Sequence, residues 1–213
     1  MYEWNLHQSA AFQESIMMME VILRNAIDER LRPWNIAQSK NVHNPNATFT
    51  DEWIEFPALP LHGLIKTGYA NAEKYARTAR AVRHKSHPRK TAPISHDDLL
   101  SQLSFGTWPN LLPHPDYPSS NKPKLRLWEE AIVFAFPHAP SGTGGIKAMC
   151  GAIKRLHSLR NRVAHGEPLL EVNVNARFGD ILRVLASIDQ DLADWCVDVS
   201  RVREVLKHRP TSP

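Results

Sequence analysis

From Phe178 to Leu206 the apolar side chains Phe178, Ile181, Leu185, Ile188, Leu192, Trp195, Val199, Val202 and Leu206 follow one another at alternating steps of three and four. Such spacing lines one face of an α-helix, whereas a strand would alternate at steps of two, so this pattern constrains the fold more than any other feature. It predicts one long helix at about 175–207, roughly 40–45 Å at about 1.5 Å per residue, which needs apolar partners along its whole length. Those partners come from other helices of the chain or from a second subunit. The same periodicity returns in Ser9 to Leu31, a stretch without Pro or Gly in which Phe12, Ile16, Met19, Leu23 and Ile27 share a face; Pro33 is expected to close it. A third helix is expected after a Ser141–Gly145 turn, carrying Ile146, Met149, Ile153, Leu156 and Val163 and stopping at Gly166 and Pro168.

The intervening segments are shorter or proline-rich. Asn35 to His62, with Pro45, Pro57 and Pro60, reads as an irregular connection or short extended pieces, and Ala70 to Arg83 reads as an alanine-rich, basic helix. Ser95 with Asp98 three residues on forms a capping-box-like start for a helix from Asp97 to Leu103. Pro113, Pro115, Pro118 and Pro123 require a surface loop, after which Lys124 to Phe136 resumes a helix that Pro137 and Pro140 end. No repeat and no sheet pattern is present. The expectation is an all-α fold, one domain over residues 1–213, built as a helical bundle with long inter-helix loops; a hydrophobic content of 42% is enough for a single core. Trp108 and Trp128 belong to that core, and Cys150 and Cys196, which lack metal-ligand spacing, are expected as buried reduced thiols. His84, His87, His96, His114 and His138 fall in or beside loops without ligand spacing and read as surface histidines rather than metal ligands. No leader and no apolar run long enough to span a membrane is readable, so a soluble cytoplasmic protein is expected.

The net charge of +4 is unevenly spread: Lys74, Arg77, Arg80, Arg83, Lys85, Arg89 and Lys90 follow one another with no acid between them. A local positive field of this kind favours a polyanion such as RNA, although a solvated helix face has the same composition.

Chemistry concentrates in Leu159-Arg160-Asn161-Arg162-Val163-Ala164-His165-Gly166-Glu167-Pro168, where two guanidiniums, a carboxamide and an imidazole meet at one helix end. Cleavage of RNA by its own 2′-hydroxyl needs a proton acceptor, a proton donor and cations around the charged phosphorane, and a metal is dispensable. His165 exchanges protons near neutral pH, Arg160 offers a permanent forked charge to phosphate oxygens, and Asn161 can orient either group. Five positions separate Arg160 from His165, which turns them roughly 140° apart on a regular helix. They meet only if Gly166 lets the imidazole leave the helical path. Glu20 and Arg24, four apart, share a helix face and can form an ion pair; either Glu20 orients an active-site arginine or Arg24 adds a phosphate contact.

The Arg-Asn-Arg-Val-Ala-His-Gly-Glu-Pro run closely resembles the Arg-Asn-Arg-[Ile/Val]-Ala-His-His-Glu-Pro run of the Abi-like (abortive infection) family of HEPN proteins. Tyr2, Trp4 and Asn5, with Glu20, Arg24 and Asn25, resemble that family's N-terminal helix. Leu103-Ser104-Phe105-Gly106-Thr107-Trp108 resembles its central motif, and Leu127-Trp128 through Phe136-Pro137 its later Trp and Phe-Pro positions. The resemblance implies a HEPN-type helical bundle and a metal-independent endoribonuclease needing no cofactor, acting in phage defence or as a toxin. It implies Arg160, Asn161 and His165 as catalytic residues, with Glu20, Arg24, Asn25 and Arg162 in support. It also implies a homodimer, because such sites pair two motifs, and an antitoxin protein or RNA as a further partner. The alternative is a non-catalytic module of the same class that binds RNA or a protein. The chain departs from the family at Gly166, where a second histidine commonly stands.

Overall fold

The computed structural model describes residues 1–40 and 48–210, and every regular element in those residues is helical. Helix α1 runs over Tyr2–Ala37, α2 over Leu61–Val82, α3 over His96–Leu100, α4 over Thr107–Leu111 and α5 over Lys122–Glu130. A 3-10 turn at Ile132–Ala135 leads into α6 (Gly142–Ala164), followed by α7 (Val174–Ile188), α8 (Gln190–Val199) and α9 (Val202–Leu206). The all-α expectation therefore holds for the described residues. Pro45, in the expected irregular connection, lies outside them.

Helix α1 is the axis of the molecule: Phe12, Ile16, Met19, Leu23, Ile27 and Leu31 are fully buried along one stripe, against α6, α7, α9 and the Ile132–Ala135 turn. It does not stop at Pro33 as expected. The residues after that proline are pinned by tertiary bonds that outweigh a proline penalty of about 3 kcal/mol. Trp34 Nε1 donates to Glu130 (2.9 Å), and the buried Asn35 amide donates to the carbonyls of Thr50 and Phe56 and accepts from Ala58 N.

The long C-terminal helix expected at 175–207 is three helices. Asp189 is extended (φ −159°, ψ 135°) and its carboxylate accepts from Asp191 N, which stops α7 and caps α8 in one residue. Ser200 makes the second break (φ −82°, ψ 132°); its Oγ sits 2.8 Å from Ser15 Oγ and lets α9 fold back along α1. Trp4 Nε1 then donates to the carbonyl of Val205 (3.1 Å), and Gln8 Nε2 to that of Val202 (3.4 Å). The apolar period is covered within the chain at Phe178, Ile181, Leu185 and Val202, whereas Trp195 and Val199 on α8 are exposed.

Other boundaries shift as well. Helix α2 begins at Leu61, nine residues before the expected Ala70, and α6 at Gly142, inside the expected turn. The Ser95 capping box is present, though α3 starts at His96 and ends at Leu100. Pro123 sits in the first turn of α5, where a proline costs nothing, and α5 ends at Glu130 rather than running to Phe136. His96 is not a surface histidine: its Nε2 lies 2.7 Å from Asp28 Oδ1, and Asp28 also accepts from Trp53 Nε1 and Arg32 Nε. Burial alone would raise the Asp28 carboxyl, but the bonds from His96, Arg32 and Trp53 hold it below the usual carboxylate range. Trp108, Trp128 and both free cysteines are buried, as expected. No helix among the described residues is long and apolar enough to cross a membrane.

Candidate functional site

Helix α6 carries the site because its two faces are chemically different. Ile146, Met149, Ile153, Leu156 and Leu159 are buried toward the core, and Arg155 fixes the helix to α7 by gripping Asp180 with Nε (2.9 Å) and Nη2 (2.6 Å). With that stripe locked, His157, Asn161 and His165, spaced four apart, fall along a second stripe, with Arg160 beside it. The N-terminal end of α6 passes so close to the preceding chain that a Cβ on Gly145 would lie 2.0 Å from the Pro140 carbonyl oxygen.

The C-terminal end is closed by a Schellman motif. His165 is the C-cap (φ −91°, ψ 3°), Gly166 is left-handed (φ 66°), Gly166 N donates to the Val163 carbonyl and Glu167 N to the Arg162 carbonyl. Arg162 completes this closure by reaching Glu167 Oε2 (3.1 Å) and the Pro168 carbonyl (3.4 Å). Its contribution is to the helix end rather than to the cluster around Arg160. Because His165 N still donates to the Asn161 carbonyl, His165 remains on the helical path. It is exposed, and it stands on the Asn161 side rather than the Arg160 side.

Sequence reasoning missed His157. Its ring stacks on Phe105 (5.8 Å between centroids, 9° between planes), and its Nε2 would lie 3.3 Å from a Cβ on Gly106. The Phe105-Gly106 pair is thus the platform for an imidazole. Asn161 Nδ2 is 3.3 Å from His157 Nε2; with the amide as donor, that nitrogen is a lone-pair acceptor. Burial, and then the Arg160 guanidinium, push the His157 imidazole below its ordinary range, so the ring is neutral at pH 7. The signal available in the sequence was the four-residue step back from Asn161.

Glu20 enters from α1. Burial raises its carboxyl, against which Arg160 and then Arg24 pull down, so Glu20 stands in the field of both guanidiniums. The expected Glu20–Arg24 ion pair does not form among the described residues. Arg24 Nε instead reaches Asn25 Oδ1 at 3.4 Å, while Arg160, half-buried, has no carboxylate within 4 Å among the described residues. The structure therefore groups Glu20, Arg24, His157, Arg160 and Asn161, with His165 one turn beyond. Asn5, at the start of α1, supports the exit from the motif, its Oδ1 accepting from Leu169 N at 2.7 Å.

The basic segment is separate, and acids from outside it neutralise part of it. Arg83 and Arg89 both bind Asp98 (2.8 and 2.7 Å), and Arg77 binds Glu73 (2.5 Å). Arg80 and Lys90 donate to the carbonyls of Ala92 and Ala81. Lys74 and Lys85 are the two of the seven without a side-chain bond to protein among the described residues. No group of three or more His, Cys, Asp and Glu side chains among the described residues is arranged to hold a metal ion. No family model, curated protein or solved structure matches the chain.

Proposed function

We propose that the chain is a metal-independent endoribonuclease of the Abi-like HEPN class, using the α6 cluster as its active site. The observation that carries the reading is a half-buried guanidinium, Arg160, with no carboxylate within 4 Å among the described residues, beside a neutral imidazole, a carboxamide and a second imidazole on one helix stripe. Arg160 takes the non-bridging oxygens of the scissile phosphate and stabilises the charge that develops there. His157 and His165 lie eight positions apart, about 12 Å along the axis, so a phosphate over Asn161 is reached from either side. His157, neutral, accepts the 2′-hydroxyl proton as the 2′-oxygen bonds to phosphorus. His165 gives a proton to the 5′-oxygen as the phosphorus–5′-oxygen bond breaks. The products are a 2′,3′-cyclic phosphate and a free 5′-hydroxyl.

A homodimer belongs to the same proposal. Met17 and Val21, 56% and 44% exposed, flank Glu20 on α1 and offer apolar surface beside the site. A twofold pairing there would bring a second α6 end to the same phosphate. The role in defence or as a toxin, with an antitoxin partner, follows from the family resemblance alone.

The test is incubation of purified protein with mixed RNA in chelator. Cleavage ending in 2′,3′-cyclic phosphate is expected, with Arg160→Ala and His165→Ala both inactive and folded, and light scattering at twice the 24.2 kDa chain mass. Intact RNA at high protein concentration would overturn the nuclease reading. It would favour a non-catalytic RNA-binding module, a reading that Gly166 in place of a second histidine already supports.

A further inference from the structure

A groove of about 470 Å³ runs alongside α6 and ends at His157, whose ring is a wall shared with the Arg160–Asn161 cluster. Lys154 and His157 line it from α6, Lys124 from α5, Asn110 from α4, and His114 and Asn121 from the loop between α4 and α5. No aspartate or glutamate lines it. Lys124 is the unusual member. Its Nζ donates to Asn110 Oδ1 (3.2 Å), and the Asn110 amide is itself fixed by donating to the Leu64 carbonyl (2.6 Å). The ammonium is thus aimed and partly desolvated, which pushes its pKa down, yet it has no carboxylate within 4 Å among the described residues. A partly buried cation without a counter-ion is stabilised by a bound anion. Lys154, exposed and likewise unpaired among the described residues, adds a second charge on the same groove.

We propose that this groove binds the phosphate next to the scissile one on a single RNA strand, so that the ligand is a single-stranded polynucleotide engaged at two consecutive phosphates. Lys154 and Arg160 are six positions apart, roughly 9 Å along α6 and about 120° around it, on either side of His157, so two neighbouring phosphates are met by long side chains reaching toward His157 from both sides. A phosphodiester offers two non-bridging oxygens with lone pairs enough to meet two ammoniums and an asparagine amide at once. The groove lies between α6 and the loop joining α4 to α5, and its volume of about 470 Å³ suits part of a single strand rather than a duplex. This inference rests on the reading of the Arg160 cluster as the place where RNA is cut.

The experiment measures binding apart from cleavage. The full-length protein is titrated by fluorescence anisotropy with a labelled all-2′-deoxy trinucleotide, which has two internucleotide phosphates and no attacking hydroxyl, and with the dinucleotide, which has one. Lys124→Gln with Lys154→Gln should weaken trinucleotide binding roughly tenfold, the loss of both ammonium contacts to one phosphate, and leave the dinucleotide unchanged. The salt slope for the trinucleotide should fall by about 0.7, one phosphate's share on a single strand. Lys154→Glu alone, at an exposed position, should act in the same direction and guards against misfolding at Lys124. Equal trinucleotide binding by wild type and both variants would overturn the groove proposal, even if RNA is cut. Loss of trinucleotide binding in the variants with RNA left intact by wild type would keep the groove and overturn only the cleavage reading.

Discussion

Replacing Gly166 separates the architecture of the helix end from its chemistry. Gly166 has φ 66°, where an L residue is disfavoured by roughly 1–2 kcal/mol, and a Cβ there would meet nothing within 4 Å. The cost of Gly166→Ala is therefore conformational and carries no steric term. About 0.4–1 kcal/mol is offset because alanine loses less chain entropy on folding, leaving a net destabilisation of about 1 kcal/mol. For a chain of 213 residues this lowers Tm by roughly 2–4 °C. Gly179, inside α7 and equally open, is the control: Gly179→Ala should stabilise by about 0.8–1.0 kcal/mol, as alanine does in helix interiors. Calorimetry of both variants should show shifts of opposite sign. A rise in Tm for Gly166→Ala as large as that for Gly179→Ala would refute the left-handed helix end. Gly166→His should cost about as much as Gly166→Ala. Under the nuclease reading any gain in RNA cleavage over the alanine variant then measures the second histidine's proton transfer.

Asp180 is 3% exposed in its side chain and binds Arg155, Arg177 and Arg183 at 2.6, 3.0 and 2.8 Å; the arginines are 23–50% exposed, which scales the usual 3–5 kcal/mol for a broken buried pair down to about 2–3 kcal/mol for Asp180→Ala. Urea denaturation checks it, and a loss below about 1 kcal/mol would show that the arginines are fully solvated. His157 has a depressed imidazole pKa, so the unfolded chain binds more protons, and the contribution of this one ring to stability, fully present above about pH 6.5, is lost as pH falls from there toward the folded value. Tm measured from pH 8 to 5 should therefore fall more steeply for wild type than for His157→Gln, and parallel curves would contradict the burial of that ring. Burial pushes the Cys150 and Cys196 thiols up to about 12 and about 11, so neither should react with a chromogenic disulfide at pH 8 until the protein is denatured; rapid native labelling would place a thiol at the surface.

Apolar spacing made the core legible, because Phe12, Ile16, Met19, Leu23 and Ile27 report a buried face whatever covers it. It did not report where helices stop. Asp189 and Ser200 interrupt the C-terminal run at positions the three-and-four pattern leaves silent, through capping bonds made by short polar side chains. Pro33 misled for the opposite reason: the local penalty was readable, while the distant partners of Trp34 and Asn35 that overcome it were not. Arg160, Asn161 and His165 could be named from their grouping. His157 could not, because its importance comes from Phe105 and Gly106, which lie some fifty positions away. The basic segment has no acid among its seven cations, yet Glu73 stands immediately before it and Asp98 a few positions after, and the fold brings both back to its arginines.

The reach of α1 also sets a timetable. Trp4 meets Val205 across 201 positions and Asn5 meets Leu169 across 164, so the stripe of α1 that forms the core stays uncovered until nearly all of the chain has been synthesised. At roughly 5–20 residues per second a ribosome holds α1 without its partners for several seconds or more. Glu20 comes into the field of Arg160 only after α6 has cleared the exit tunnel, so the cluster is absent from every shorter nascent chain. During that interval an amphipathic helix with exposed Phe12, Ile16, Met19 and Leu23 is a substrate for holdase chaperones. Translation pauses within α6 or α7 would lengthen the exposure.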